Sequence, residues 1–595
     1  MVTTLPELLL NTLKSYPKDE FMLVKKEGRY MPISMAEFGD KVKHLSLGLM
    51  DLGLVKGDKL IILAENSPEW VMTDFACLCL GGITVPIYTT LVPEQVKYII
   101  NDSDAKFVVF SNKEQWAKIE AVKADLPQVR HFISPAPEAP QGCLTFDRVI
   151  ERGAKIAQAQ PELFVETARA IKPNDEASII YTSGTTGLPK GVLLTHGNFV
   201  SNLTTVSTII EFTEKDTVLS FLPLSHVLER MVTFTYAYKG CTIAYAESLD
   251  TVAQNLLEVR PQIMVSVPRV FEKIYVKVMD NVLTSSGLKR KIFFWAVKVG
   301  KAYGRKKLAK QPIGRGLQFK RNLAHKLVFS KVIEKTGGRV RFFVSGGAPL
   351  SGDIAEFFYA LGLVILEGYG LTETSPVISV NTFEKLKFGT VGWPIPGVEV
   401  KIAADGEILT RGPHIMKGYY KKPAETRDVF DGDWFKTGDI GRFDEEGYLA
   451  ITDRKKDLIV TAGGKNVAPQ PIENILKTNA YISNAMVMGD RRRFVSALIV
   501  PNFEKMEEYA KSNNVSFASR AELVKNGQIV NFLKSEIDRA TPNLAPYERI
   551  KKIAVLDREF EIEKGEITPT LKVKRNIVEK KYKDLIDSLY KEENV

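Results

Sequence analysis

Short apolar runs alternate with amphipathic stretches along the N-terminal part of the chain. Apolar residues recur at helical spacing over residues 35–53, and residues 59–63 form an apolar run typical of a buried strand. Ser67 followed by Pro68 predicts the start of a helix, and the next apolar run, residues 83–88, predicts a strand. This alternation of strands and helices predicts layers of an α/β fold with largely parallel strands.

Four later apolar runs each lead directly into a loop of polar, glycine or proline residues. In open α/β sheets, ligands bind beyond the carboxyl ends of the strands. We therefore expect the loops to share one cleft. The runs with their loops are residues 217–222 with 223–226, 263–267 with 268–269, 340–345 with 346–350, and 364–367 with 368–373.

The stretch YTSGTTGLPKG, residues 181–191, lies between two further strand-like runs, 177–181 and 192–196. Its glycines allow the backbone to approach a ligand and expose N–H groups, while hydroxyls and Lys190 suit phosphate oxygens. The spacing differs from the G-x-x-x-x-G-K-[ST] loop of many nucleotide-binding proteins. The stretch predicts a polyphosphate site of another kind, and a flexible glycine–threonine turn is the alternative.

The pattern changes near residue 395. Val398, Val400 and Ile402 alternate before the turn at Asp405 and Gly406, which predicts a small β subdomain. After residues 453–457, amphipathic helices mix with short strands. We therefore predict an α/β protein with a large N-terminal domain of layered sheets plus the β subdomain, residues 1–455, and a smaller α+β C-terminal domain, residues 456–595.

The composition is that of a globular protein, with 45% apolar and 26% charged residues among 595. We see neither an apolar run of membrane-spanning length nor a secretory signal at the N-terminus. The cysteines, Cys77, Cys79, Cys143 and Cys241, do not form a metal-ligand set. A reducing cytoplasm is the compartment expected for such a chain.

The net charge of +10 is unevenly distributed. Within a predicted insertion, residues 275–340, the segment 287–331 contains fourteen Lys or Arg and no Asp or Glu, with Phe and Trp interleaved. Two interpretations explain this pattern. The segment contacts the inner face of an anionic membrane as a peripheral protein, or it is a helical face that is simply exposed to solvent. Nucleic acid is not expected as a partner, because no nucleic-acid motif accompanies the basic segment.

The order of the motifs resembles the adenylate-forming enzymes, which include acyl-CoA synthetases, luciferases and peptide-synthetase adenylation domains. The insertion and the sequence TPTLKVKR, residues 568–575, are similar to long-chain fatty acyl-CoA synthetases. The matching motifs are YTSGTTGLPKG at 181–191, LPLSH at 222–226, EGYGLTE at 367–373, TGD at 437–439, DRKKDLI at 453–459 and GGKN at 463–466.

The resemblance implies that a long-chain fatty acid attacks the α-phosphate of ATP, and that the thiol of CoA then displaces AMP. The phosphate-holding residues would be Thr182, Ser183, Gly184, Thr185, Thr186, Gly187 and Lys190. Those around the adenosine would be Gly346, Gly347, Ala348, Gly368, Tyr369, Gly370, Asp439 and Lys456, with Tyr369 stacking on adenine and Asp439 accepting from the ribose hydroxyls.

For the chemistry, the resemblance implies that Glu373 binds Mg²⁺ and that Thr372 contacts the α-phosphate. Arg454 would support the ribose side, and His226 would lie beside the carboxylate and the CoA path. Lys572 matches the family's mobile catalytic lysine. The resemblance implies that the C-terminal domain, residues 456–595, is mobile and carries this lysine about a hinge at Lys456.

The chain departs from relatives at three places. Val460 replaces a common lysine, Leu571 replaces a glycine before the catalytic lysine, and residues 227–232 lack the tryptophan that gates the acyl tunnel in some long-chain enzymes. Two enzymatic alternatives stay open: transfer of the acyl group to acyl-carrier protein, and release of the acyl adenylate. A fatty-acid-binding protein at the membrane surface is the alternative without catalysis.

Overall fold

The computed structural model describes residues 2–182, 188–568 and 572–591. Within these ranges, two large mixed sheets form the framework of the N-terminal part. One runs in spatial order through Trp393–Pro394, Val377–Val380, Val364–Gly370, Phe342–Ser345, Ile263–Ser266, Thr217–Ser220, Thr242–Tyr245, Met22–Lys26 and Arg29–Ile33. The other runs through Gly418–Tyr419, Lys190–Thr195, Glu176–Thr182, Ile83–Pro86, Lys59–Leu63, Phe107–Phe110, His131–Ser134 and Leu144–Thr145.

Helices cover the sheets, and the central strands are buried on both faces. Strand Ile263–Ser266 pairs in parallel with Phe342–Ser345, and all their residues are buried, as in sheets with a helical layer on each side. The α-helices of residues 2–260 are Leu5–Ser15, Met35–Asp51, Pro68–Leu78, Pro93–Asp102, Lys113–Glu120, Phe146–Ala159, Leu163–Ala170, His196–Ile209, Val227–Tyr238 and Val252–Val259.

The strand register brings the predicted ligand loops to one edge of the nine-stranded sheet. Ser266 pairs with Ser345, and Ser345 pairs with Glu367, so the carboxyl ends of three adjacent parallel strands are level. The segments that follow these strands therefore lie side by side. This arrangement agrees with the cleft expected from the sequence.

Three local predictions from the sequence were wrong. Residues 268–269, predicted as a loop, begin helix Pro268–Leu283, with Pro268 at the first helical position. The strand beginning at Val364 continues to Gly370, because residues 368–370 pair antiparallel with strand Val377–Val380 instead of forming a loop. His196 is not in a strand but begins a helix. Thr195 and Asn198 exchange side-chain-to-backbone hydrogen bonds of 3.2 and 2.9 Å at that helix start, which ends the preceding strand.

The predicted β subdomain is a separate antiparallel sheet. Its hairpin pairs Glu399–Ile402 with Glu407–Arg411 around the turn at Asp405 and Gly406. The remaining strands are Trp434–Phe443, Phe430–Asp431 and Leu449–Arg454. Asp439 and Arg454 are paired in this sheet, which brings two predicted site residues together by register.

The C-terminal part has hydrophobic cores of its own, built around strands Ile482–Met488, Val495–Pro501 and Ile550–Val555. A two-stranded ribbon, Ile459–Val460 with Asn466–Val467, precedes them. The accompanying helices are Pro469–Leu476, Phe503–Ser512, Arg520–Leu523, Gly527–Ala540, Arg575–Lys581 and Lys583–Ser588. The predicted fold class, layered α/β sheets with a β subdomain and a smaller α+β part, is confirmed.

The basic insertion is helical. Its helices are Pro268–Leu283, Gly287–Leu308, Arg315–Ala324 and Ser330–Glu334, and a π-helical turn, His325–Phe329, joins the last two. Helices Gly352–Leu361 and Pro423–Asp428 complete the N-terminal part as described. Across the three described ranges, none of the helices combines the length and apolar character needed to cross a bilayer.

Candidate active site

His226 lies between the carboxyl end of strand Thr217–Ser220 and helix Val227–Tyr238. It is the N-cap of that helix, and its Nδ1 accepts a hydrogen bond of 3.1 Å from the backbone N–H of Leu228. The acceptor role of Nδ1 leaves the proton of the neutral ring on Nε2. Burial, together with the positive charge of Lys572, lowers the pKa of His226 to about 4. The imidazole is therefore neutral at physiological pH.

The glycine loop after strand Phe342–Ser345 packs against the first turn of the His226 helix. A Cβ on Gly346 would lie 2.9 Å from a methyl carbon of Leu228, so a larger residue there would require the Leu228 side chain to shift. Gly347 has a φ of +81°, a conformation that favours glycine. The loop ends at Leu350, whose N–H donates to Glu367 Oε1 at 2.9 Å. Burial raises the pKa of Glu367 to about 8.

Tyr369, Asp439 and Arg454 form a connected group between the large sheet and the β subdomain. The Tyr369 hydroxyl donates to Asp439 Oδ2 at 2.8 Å, and Arg454 Nε lies 3.3 Å from Asp439 Oδ1. The Asp439 carboxylate is 7% exposed. Gly370, next to Tyr369, admits no side chain, because a Cβ there would lie 1.7 Å from the carbonyl oxygen of Pro376.

Glu373 and the described ends of the glycine-rich stretch are linked through Tyr419. The Tyr419 hydroxyl donates to Glu373 Oε1 at 3.0 Å, and Lys190 Nζ lies 5.2 Å from the centre of the Tyr419 ring. Lys190 and Thr182 face each other across the antiparallel strands Lys190–Thr195 and Glu176–Thr182. The predicted phosphate residues Ser183, Gly184, Thr185, Thr186 and Gly187 lie outside the described residues.

Lys572 comes from the C-terminal part, yet it lies in the electrostatic field of residues from the N-terminal part. Burial lowers its pKa to about 8, and the neighbouring positive charges of Arg454 and Lys456 act in the same direction, while Asp439 opposes them. The charge of Lys572 in turn affects His226. The structure thus brings Lys572, His226 and the strand pair of Asp439 and Arg454 together from three distant parts of the sequence.

The surroundings of Glu373 fit a divalent cation. Burial raises the pKa of Glu373, while the hydrogen bond from Tyr419 and the charge of Arg454 oppose this shift. Arg454 forms its ion pair with Asp439, and none of the described lysines or arginines forms one with Glu373. A buried carboxylate without a cationic partner favours binding of a cation, and carboxylate and phosphate oxygens are the ligands that Mg²⁺ prefers. Thr372 precedes Glu373 in the same 3₁₀ turn, Thr372–Thr374.

Sequence reasoning missed three residues that shape this region. Tyr419 follows a glycine in the short strand Gly418–Tyr419. The pairing of that strand with strand Lys190–Thr195 and the hydrogen bond of 2.9 Å from the Met416 N–H to the Glu373 carbonyl bring it to Glu373. Glu367 was read as part of a motif but not as a buried acid. Asn66 holds the loop before His226 by donating to the Leu222 carbonyl at 2.6 Å and accepting from the Leu224 N–H at 2.9 Å. Neither Tyr419 nor Asn66 lies in a motif that could have revealed its role.

The comparison with protein families matches almost the entire chain. The model of the AMP-binding enzyme family matches residues 10–420, and the model of the AMP-binding enzyme C-terminal domain matches residues 456–594. The chain belongs to the AMP-binding enzyme family. It is therefore an enzyme of the adenylate-forming type that its motif order resembles.

Relatives within the AMP-binding enzyme family are similar over nearly the full length. The long-chain-fatty-acid–CoA ligase FadD15 of Mycobacterium bovis is 37% identical over 573 residues, covering 95% of this chain and 94% of that protein. The peroxisomal long chain acyl-CoA synthetase 7 of Arabidopsis thaliana is 32% identical, covering 99% of this chain and 87% of that protein.

Solved structures share the fold at lower sequence identity. The anthranilate CoA ligase AuaEII, in complex with anthranoyl-AMP, superposes with a TM-score of 0.75 at 20% identity and covers 98% of both chains. The adenylation domain of a carboxylate reductase from Mycobacterium chelonae superposes with a TM-score of 0.74 at 21% identity, covering 99% of this chain and 91% of that one. At this identity, the likeness concerns the fold alone.

Proposed function

We propose that this AMP-binding enzyme is a long-chain fatty acid–CoA ligase, which uses ATP to convert a fatty acid to acyl-CoA through an acyl adenylate. The proposal rests on the proximity of Lys572 to His226, Asp439 and Arg454 in one cleft. The two relatives described above, whose names specify long-chain acyl substrates and CoA, support the substrate class.

In the first half-reaction, an oxygen of the fatty-acid carboxylate attacks the α-phosphorus of ATP, and the bond from that phosphorus to the bridging oxygen of pyrophosphate breaks. Both reactants are anions, so neutralising and orienting their charges provides most of the catalysis. We assign this role to the Lys572 ammonium and the Thr372 hydroxyl. Thr182 and Lys190, with residues 183–187 between them, would hold the departing phosphates.

The adenosine would be oriented by groups that are already in place. Asp439 would accept hydrogen bonds from the ribose hydroxyls, with its carboxylate held by Tyr369 and Arg454. Gly346, Gly347 and Ala348 would border the adenine, together with the segment 368–370. Lys456, whose pKa is lowered by burial and by Arg454, would contact the nucleotide at the junction between the two parts of the chain.

Glu373 would hold Mg²⁺. When bound, that ion would offset the negative charge of the phosphates during the attack. Tyr419 orients the carboxylate by donating to Oε1, which leaves Oε2 available for the ion.

In the second half-reaction, the CoA thiolate attacks the acyl carbonyl and AMP departs. We propose that residues 456–595 then move as a domain about a hinge at Lys456, relative to residues 1–455, and withdraw Lys572 from the cleft. Such a movement allows one cleft to serve two different transition states. His226, neutral and capping its helix, would border the acyl carbonyl during both steps.

The test separates the half-reactions. Fatty-acid-dependent exchange between ATP and pyrophosphate reports the first, and acyl-CoA formation from synthetic acyl adenylate reports the second. Lys572→Ala should abolish the first and retain the second, while the matched variant Lys574→Ala, two residues away, should retain both. Exchange that persists in Lys572→Ala would refute the assignment.

The acceptor and the need for catalysis can be tested in the same assay. Acyl transfer to CoA but not to holo-acyl-carrier protein is expected, and preference for the carrier protein would favour the alternative ligase. Release of acyl adenylate without transfer to either thiol would favour an enzyme that stops at the acyl adenylate. Fatty-acid binding without any exchange would favour a lipid-binding protein.

We also propose that the segment 287–331 contacts an anionic membrane from the cytoplasmic side. Three apolar side chains of the last helical stretch, Phe319, Leu323 and Leu327, are spaced four residues apart and are 69%, 38% and 41% exposed. Among the neighbouring exposed residues are the cations Lys320 and Lys326. A row of exposed apolar groups between cations, on a segment without acids, is complementary to an anionic lipid surface.

Binding to vesicles tests this surface. Replacing Phe319, Leu323 and Leu327 by Ser should weaken binding to phosphatidylglycerol vesicles roughly 100-fold, counting about 1 kcal/mol for each partly inserted side chain. Replacing two apolar residues exposed elsewhere, Leu249 and Leu257, should leave binding unchanged. Equal binding of all variants would refute the assignment of this surface.

A further inference from the structure

Lys572 is carried by a short antiparallel hairpin of the C-terminal part. The N–H of Thr568 donates to the carbonyl of Lys572 at 2.8 Å, and Ile567 pairs with Val573. At the base, the N–H of Lys574 donates to the carbonyl of Glu566 at 2.7 Å. Any shift of this base would move Lys572, because the described strands of the hairpin are only a few residues long.

The side chain of Glu566 is fully buried, with an exposure of 0%. Its carboxylate receives four kinds of donor. Arg558 Nη1 lies 2.8 Å from Oε2, Lys581 Nζ lies 2.8 Å from Oε1, the Tyr582 hydroxyl lies 3.3 Å from Oε1, and the N–H of Glu561 lies 3.0 Å from Oε2. A buried carboxylate requires such partners, because an unpaired buried charge is costly.

The charges around Glu566 favour its ionised form. Burial by itself raises the pKa of a carboxyl group, but the hydrogen bonds from Arg558 and Lys581 outweigh that effect and lower the pKa of Glu566 to about 2. Glu566 is therefore an anion at any pH at which the enzyme would work. Its two oxygens act as fixed acceptors and restrict its position from two sides.

The partners of Glu566 belong to different elements. Arg558 follows strand Ile550–Val555, while Lys581 ends helix Arg575–Lys581 and Tyr582 comes directly after it. Glu566 thus connects the base of the hairpin to the strand on one side and to the C-terminal helices on the other. The second strand of the hairpin is held separately at its base, by the ion pair of Arg575 with Glu473 in helix Pro469–Leu476.

We propose that Glu566 is a positioning residue for the adenylation half-reaction, because its clamped carboxylate holds the hairpin that presents Lys572 to the cleft. This inference rests on the proposed function, in which Lys572 acts in adenylation. Glu566 itself does not touch the reacting atoms. Its loss should therefore affect the step that uses Lys572 and leave the step that does not.

The experiment compares Glu566→Gln with Glu561→Gln in the full chain. Glu561 lies in the same segment and pairs with Lys564 and Arg558, but its side chain is 39% exposed. Glu566→Gln should slow ATP–pyrophosphate exchange about 10-fold or more, since small misplacements of a catalytic group are costly. Acyl-CoA formation from synthetic acyl adenylate should stay within about 2-fold, and Glu561→Gln should leave both rates within about 2-fold.

A purely structural role predicts a different result, in which Glu566→Gln slows both half-reactions equally, and this outcome would overturn the proposal. If Glu566→Gln does not fold, Lys581→Met removes one of the two cations and leaves Arg558 in place. This second variant should slow exchange alone, by about 3-fold to 5-fold. Unchanged exchange in a folded Lys581→Met protein would overturn the proposal.

Lys572→Ala distinguishes failure of this inference from failure of the proposed function. Loss of exchange in Lys572→Ala with normal exchange in Glu566→Gln would overturn the positioning role alone. Retained exchange in Lys572→Ala would overturn the role of the lysine and, with it, the positioning role of Glu566.

Discussion

Breaking the buried ion pair between Arg230 and Asp74 should destabilise the N-terminal part by several kcal/mol. Both side chains are 1% exposed, and the contact is bidentate, with Nε 2.8 Å from Oδ2 and Nη2 2.6 Å from Oδ1. Arg230 Nη1 also donates to the hydroxyl of Ser178. The guanidinium therefore connects the His226 helix to helix Pro68–Leu78 and to strand Glu176–Thr182, which leads into the glycine-rich stretch.

The magnitude follows from what each substitution leaves behind. Asp74→Asn keeps the shape but leaves a buried guanidinium without a counter-charge, a change that costs about 3–5 kcal/mol. Replacing both partners by apolar residues of similar volume, Arg230→Met with Asp74→Leu, leaves no buried charge and should leave stability unchanged or raise it by up to about 4 kcal/mol. The rings of Phe199 and Phe234, 5.3 and 5.5 Å from the guanidinium carbon, would then surround an apolar side chain.

Urea unfolding of the purified variants measures these differences through intrinsic fluorescence and far-ultraviolet circular dichroism. Asp74→Asn should shift the first transition to lower urea concentration, and the double variant should restore it. The matched surface variant Asp51→Asn, which loses an exposed ion pair with Arg152, should shift it little. A double variant as unstable as Asp74→Asn would refute the reasoning, because the loss would then come from packing and not from an uncompensated charge.

Two further predictions concern the cleft. Because burial and Arg454 lower the pKa of Lys572 to about 8, its ammonium form is lost at a lower pH than that of an ordinary lysine. Pyrophosphate exchange should therefore decline as the pH rises above about 8, and a rate that stays constant to pH 10 would contradict the role of the ammonium group. Tyr419→Phe, which removes the donor to Glu373, should raise the Mg²⁺ concentration needed for half-maximal exchange about 5-fold. Tyr420→Phe, on the neighbouring residue, should leave that concentration unchanged, and equal effects of both variants would contradict the role of Tyr419.

Much of the fold could be predicted from the sequence because local patterns specify it. The hairpin at Asp405 and Gly406 depends on two turn residues between alternating strands, and the structure contains it. The apolar runs that predicted central strands are buried in the two large sheets. The predictions were wrong at 268–269, at 368–370 and at His196, where a helix start, antiparallel pairing with a later strand and a capping interaction decided the local structure.

For the candidate site, the sequence by itself determined which chemical groups are available. The order of the motifs identified the family, and the residue types suit phosphate, ribose and a divalent cation. Those properties reside in short segments, so they can be read without knowing how the segments meet.

Only the tertiary structure decided which of these groups face each other and what holds them there. Lys572 lies near Asp439 and His226 because a hairpin of the C-terminal part carries it toward the N-terminal part. Tyr419 reaches Glu373 through the pairing of two strands more than two hundred residues apart. Burial then moves the pKa values of Lys572, His226 and Glu373 away from their ordinary ranges, and burial is a property of the packed chain that local sequence does not specify.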